Sequence, residues 1–235
     1  MTFLEHMLEL RKVLIFCIFT ILLVAIPCGI YWEYIFNFLA KRPLALADPI
    51  PRLIYTAPVE TVMLSLKIAF TGGFILSSPI IFWRFWLFVT PGLFQKEKKI
   101  ILPLVILTTL CFLFGFGFCF TLFPYVFKFL TNFAGSNIEP MFKIDEYLSF
   151  IIKMSVAFGF VFELPVITFV LTKVGIIDHR FLLRYFRYII LGIFILAAFI
   201  TPPDVLSQVV VVCPLIILYL ISIFVALLSR RKVIE

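Results

Sequence analysis

The sequence predicts an all-α integral membrane protein, a single domain over residues 1–235 built from six transmembrane helices. Three observations carry that expectation. The chain is 63% hydrophobic and only 14% charged, with a mean hydropathy of +1.18, far outside the make-up of a soluble domain. Its uncharged or nearly uncharged runs mostly exceed the roughly 20 residues a helix needs to cross about 30 Å of hydrocarbon. None of them shows the short polar/apolar alternation of a barrel strand, so each span satisfies its backbone as a helix.

The first run, Val13 to Trp32, follows the charged stretch "EHMLELRK" (Glu5 to Lys12). No small-residue cleavage site stands out after it, and it is expected to stay as a helix. The loop from Glu33 to Glu60 carries Pro43, Pro49, Pro51 and Pro58, whose fixed φ and missing N–H make it a constrained cap. The second span is Thr61 to Val89, followed by "PGLFQKEKK", and the third is Ile100 to Phe127. A loop with Gly135 and Pro140 leads to the fourth, Leu148 to Thr172. The fifth, Tyr188 to Pro203, offers only 13 residues up to Ile200, about 20 Å at 1.5 Å per residue, too short for an ordinary crossing. The sixth is Val205 to Ser229. No internal repeat or low-complexity tract divides the chain.

With six spans both termini share a side, and the Lys/Arg excess assigns it. Twelve of the 20 Lys and Arg residues lie on the side of the termini, five in the opposite loops (Lys41, Arg42, Arg52, Lys128, Lys143), and Lys67, Arg84 and Lys153 fall inside spans. Both termini are therefore expected in the cytoplasm. The net charge of +7 is explained by that topology and by attraction to anionic membrane lipid, and no motif supports a nucleic-acid partner.

Enzyme chemistry finds no foothold. The five cysteines lie in apolar runs without a Cys-x-x-Cys pair, only His6 and His179 are present, and there is no Walker-type loop. No disulfide framework, metal site, cofactor site or nucleotide hydrolysis is expected.

Some charges still require an explanation. Lys67, Arg84 and Lys153 sit near span ends, where long stems carry a charge to the interface by snorkelling. Glu163, in "FGFVFELPV", lies nine residues before Thr172 and fifteen after Leu148, near the bilayer midplane on a short stem. A carboxylate there is costly, so it is either a docking point for a partner helix or a water-filled concavity, or a protonated group hydrogen-bonded inside the bundle. At the amino end Thr2-x-x-Glu5 has the form of a capping box. Glu9 is not explained that way; it pairs with Arg11 or serves recognition. Glu97 stands among lysines in the loop after the second span. Together Glu9 and Glu97 suit a planar guanidinium far better than an ammonium, which makes them a docking site for a peptide carrying arginines.

Four motifs, "EHMLELRKVL" at the amino end, "FVTPGLFQKEKK" (Phe88 to Lys99), "YLSFIIKMSVAFGFVFELPV" (Tyr147 to Val166) and "ITPPDVLSQ" (Ile200 to Gln208), appear in an order and spacing that resembles the twin-arginine translocase subunit TatC family from about residue 3 to 229. The resemblance implies a glove-shaped six-helix receptor for the twin-arginine signal peptides of folded cargo. It also implies assembly with single-span TatA and TatB type subunits and homo-oligomers within a larger complex, in a bacterial inner membrane or an organellar one of bacterial descent, with transport driven by the proton-motive force. It assigns Glu9 and Glu97 to the two arginines, Arg11 and Phe88 to the shape and edge of the same site, and Pro43 to the outer cap. Glu163, Asp204 and Gln208 become intramembrane or partner-subunit positions. One departure stands out: where the family often carries a glutamate in the last span, this chain reads "LYLIS" with Leu220.

The competing class is a self-contained multi-pass transporter or channel with Glu163 as a proton or ion site. That class favours several ionisable groups along one path and inverted repeats. The sequence shows one deep acid and no repeat.

Overall fold

A computed structural model describes residues 3–41, 44, 52–93, 101–133, 141–201 and 205–229. The all-α membrane fold expected from the sequence is what it has. Five helical segments, Glu5–Ile30, Pro58–Val89, Ile101–Lys128, Ile144–Val174 and Ser207–Leu228, are long and apolar enough to cross a membrane, and Phe186–Ile200 is a shorter apolar helix.

In chain order the elements are α1 (Phe3–Ile30), α2 (Trp32–Phe36), a π-helical turn (Asn37–Lys41), β1 (Arg52–Ile54), α3 (Pro58–Leu93) and α4 (Ile101–Phe133). Then come β2 (Met141–Lys143), α5 (Ile144–Val161), α6 (Leu164–Val174), α7 (His179–Arg184), α8 (Phe186–Ile200) and α9 (Val205–Leu228). β1 and β2 pair as a two-stranded sheet.

The chain divides into two compact units: Met1–Arg42 with Leu53–Leu110 and Phe142–Ser149, and Pro43–Arg52 with Cys111–Met141 and Phe150–Glu235. In the first, α1 and α3 pack along small residues. Lipid supplies no hydrophobic drive between helices, so close approach through Gly and Ala contributes most of the association. A Cβ at Gly73 would stand 2.8 Å from the Ile21 carbonyl oxygen and 2.9 Å from the Ala25 Cβ, and one at Gly72 would stand 3.1 Å from the Cys28 Sγ. α3 starts cleanly: Pro58 occupies its first position, where a missing N–H costs nothing, and Glu60 accepts from the Thr56 amide at 2.8 Å and the Thr56 hydroxyl at 2.5 Å. Tyr147 at the start of α5 donates to the Ala40 carbonyl of the π-turn at 3.0 Å.

The second unit is built on phenylalanine. Phe112, Phe123 and Phe158 are fully buried, and α4 crosses α5 where glycines make room. A Cβ at Gly159 would meet the Phe112 ring at 2.7 Å, and one at Gly115 would meet the Phe158 carbonyl at 2.8 Å. The span that the sequence reads as one run breaks between α5 and α6, because Pro165 lacks the N–H that would bond the Val161 carbonyl. Glu163 sits in that break, its own amide bonded to the Phe160 carbonyl at 3.1 Å. α6 ends on Gly175 at φ 86°. There Gly175 N–H bonds the Thr172 carbonyl and Ile176 N–H the Leu171 carbonyl, a left-handed helix end that glycine adopts without strain. α8, at 15 residues, spans about 22 Å. It is tied to α9 by the Gln208 amide, which donates to the Phe194 carbonyl at 2.9 Å.

Candidate functional site

The first turns of α1 meet the last turns of α3, and their side chains form an open cleft of ≈ 300 Å³ lined by Glu9, Lys12, Val13, Phe16 and Arg84. Glu9 is half-buried. His6, one turn before it, stacks on Phe88 of α3 with centroids 4.2 Å apart and planes at 14°, which pins the start of α1 against the end of α3. The Arg84 guanidinium lies over the Phe16 ring, 4.1 Å from its centroid, a cation–π contact that strengthens where water is scarce.

Sequence reasoning placed Arg84 among the snorkelling cations. The structure gives it a specific seat, because the helix crossing brings Phe16 under it, a juxtaposition no local pattern encodes. Lys12 and Phe16 were likewise missed as members of the cleft. Their only signal was the α-helical spacing of Glu9, Lys12, Val13 and Phe16 on one face. Arg11 is exposed, and among the described residues no ion pair joins it to Glu9. Phe88 contributes through His6. Glu97, the expected second carboxylate, and Thr2 of the expected capping box lie outside the described residues.

Chemically the cleft offers an incoming cation one carboxylate, Glu9, while the Phe16 ring already carries the Arg84 guanidinium. A guanidinium can bond Glu9 through paired N–H groups, whereas an ammonium makes a point contact. Lys12 and Arg84 raise the local positive charge, which opposes any incoming cation unless strong directional bonds offset it.

Glu163 is 5% exposed, and its Oε1 has no hydrogen-bond partner among the described residues. Leaving a buried polar atom unpaired is costly, so this carboxyl is poised to accept a donor from elsewhere. Asp204 and Pro43 lie outside the described residues. Leu220 is an exposed residue of α9. Lys67 does more than reach an interface: its ammonium pairs with Asp145 at 2.5 Å and bonds the Ser149 hydroxyl at 2.9 Å, so α3 and α5 share a charged contact that sequence spacing could not reveal.

Membrane-length apolar helices with a charged cleft made at two helix ends define a polytopic helical membrane protein. The family model of the Sec-independent protein translocase protein (TatC) matches residues 5–214. The Sec-independent protein translocase protein TatC of Carboxydothermus hydrogenoformans is 42% identical, over 99% of this chain and 95% of its own. That of Helicobacter pylori strain J99 is 40% identical, over 94% of this chain and 87% of its own. A crystal structure of the twin-arginine translocase receptor TatC superposes with a TM-score of 0.89 at 36% identity, covering 96% of this chain and 100% of that one. The chain belongs to the TatC family of Sec-independent protein translocase components.

Proposed function

We propose that the chain is the receptor core of a twin-arginine translocase, capturing the signal peptides of folded proteins by their paired arginines. The observation that supports this most is Glu9: a carboxylate on the wall of an open cleft, in no ion pair among the described residues. Glu97 supplies the second carboxylate from the connection between α3 and α4, Phe88 holds the edge of the site, and Arg11 shapes its field.

In this reading six spans place both termini in the cytoplasm of a bacterial inner membrane, or the equivalent side of an organellar membrane of bacterial descent. Pro43 stiffens the outer cap. Single-span TatA and TatB type subunits dock through Glu163, Asp204 and Gln208, copies of the chain gather in a larger complex, and the proton-motive force drives export. The test is binding of an arginine-pair signal peptide to the full chain in nanodiscs. Glu9→Gln and Glu97→Gln should each weaken capture and their combination abolish it; full affinity in the double variant would remove the proposal.

A further inference from the structure

The segment from α7 into the first turn of α8 carries three arginines in eight residues, Arg180, Arg184 and Arg187, all exposed. Among the described residues none of the three is in an ion pair. The single carboxylate between Leu164 and Ile200 is Asp178, and it is engaged: its Oδ1 caps α7 by accepting the His179 amide at 2.8 Å and contacts the His179 Nδ1 at 2.6 Å. Among the described residues no ion pair neutralises the arginines.

The segment is ordered into stripes. Residues three and four apart share a helix face, and α7 runs into α8 through Tyr185, whose amide bonds the Phe181 carbonyl at 3.1 Å and whose carbonyl accepts from Ile189 at 3.0 Å. Arg180, Arg184 and Arg187 therefore form one stripe. Phe181, Tyr185 and Tyr188 form the adjoining one, with ring centroids 4.6 Å and 6.2 Å apart, all three exposed. The opposite stripe is anchored: Leu182 is buried, its carbonyl accepts the Tyr219 hydroxyl of α9 at 2.7 Å, and the Phe186 ring packs 5.8 Å from that of Tyr219. The anchor holds the other two stripes outward.

We propose that Arg180 to Tyr188 is a docking face for anionic phospholipid headgroups, the arginines taking the phosphates and the aromatic stripe lying at the level of the glycerol backbone. Charge complementarity identifies the occupant. Guanidinium groups pair phosphate oxygens bidentately, Tyr and Phe rings settle at the boundary between headgroup and hydrocarbon, and the segment joins two apolar helices, which puts it at that boundary. A basic face there is attracted to anionic lipid by about fivefold per Lys or Arg, an effect that salt screens.

The full chain is reconstituted in nanodiscs of phosphatidylcholine with phosphatidylglycerol as the minor component, and the phosphatidylglycerol retained on extraction is counted against phosphatidylcholine by native mass spectrometry. Combined Arg180→Gln, Arg184→Gln and Arg187→Gln should lower that ratio by at least about fivefold, the corresponding Arg→Lys triple should keep most of it, and wild-type retention should fall as salt rises. An unchanged ratio in the glutamine triple, or retention indifferent to salt, overturns the proposal. So does a triple that keeps its phosphatidylglycerol but loses co-purifying protein, for the face would then bind an acidic protein segment. Should the triple not fold, Arg184→Gln at the centre of the stripe, checked for an unaltered thermal transition, is read in the same way.

Discussion

The Arg84 guanidinium of α3 rests 4.1 Å above the Phe16 ring of α1, in the cleft that Glu9 also lines. A fixed cation therefore already occupies part of the site proposed to receive mobile ones. Its like charge opposes an incoming arginine, and its removal exposes an aromatic face on which that arginine can stack. Arg84→Ala should tighten binding of an arginine-pair peptide, with the gain largest at low ionic strength. Titrations at two salt concentrations check the sign, and weaker binding would instead make Arg84 part of the acceptor.

Glu9→Gln keeps the shape of the side chain and removes its charge. Hydrogen bonds to charged groups contribute about 1.5–3 kcal/mol, so peptide affinity should drop roughly 10- to 100-fold. Arg11→Gln, exposed and outside the cleft, should change affinity far less. A gain in Arg11→Gln as large as the loss in Glu9→Gln would point to general electrostatics rather than a specific carboxylate.

Gly73 and Gly192 provide an internal contrast. A methyl at Gly73 would collide with the Ile21 carbonyl and Ala25, whereas one at Gly192 meets nothing within 4 Å. Gly73→Ala should destabilise by about 1–3 kcal/mol, the usual cost of overpacking, and Gly192→Ala should be neutral or mildly stabilising, since alanine is the better helix former. Thermal unfolding in detergent measures both.

The Lys67–Asp145 pair is about one-third exposed on each side, which moderates its value to about 1 kcal/mol. Single substitution to alanine at either position should cost more than that, because the partner charge is left behind. The double variant should recover part of the loss. Additive losses in the cycle would mean that the contact carries no coupling.

Glu163→Ala should weaken assembly with small single-span subunits while sparing peptide capture, because the buried Oε1 lacks a partner among the described residues and lies in the second unit, whereas the cleft lies in the first. Co-purification and peptide binding, measured on the same preparation, separate the two effects. Loss of peptide capture with intact assembly would reverse the assignment.

Much of the fold was legible because its signals are additive along the chain. Apolar runs of membrane length, the short stretch before Ile200 and the deep position of Glu163 are all local properties. The helix break at Phe162–Glu163 was half legible, since Pro165 in the sequence removes one helix hydrogen bond but does not dictate a separation into α5 and α6. What remained hidden depends on which helix meets which. Arg84 on Phe16, His6 on Phe88, and Lys67 on Asp145 and Ser149 are pairs between segments far apart in sequence, and spacing holds no information on such contacts. Glu9, which lines the cleft, stood out for a different reason: a carboxylate in a basic flank contradicts its surroundings, and functional roles are expected where such contradictions occur.

The most direct test of arginine recognition is site-specific photo-crosslinking from positions 9 and 97, in native membranes, to a signal peptide carrying Arg-Arg or Lys-Lys. The account predicts crosslinks at both positions with Arg-Arg that are lost with Lys-Lys. No crosslink at either position in a folded, inserted protein, or equal crosslinking of the two peptides, would contradict it.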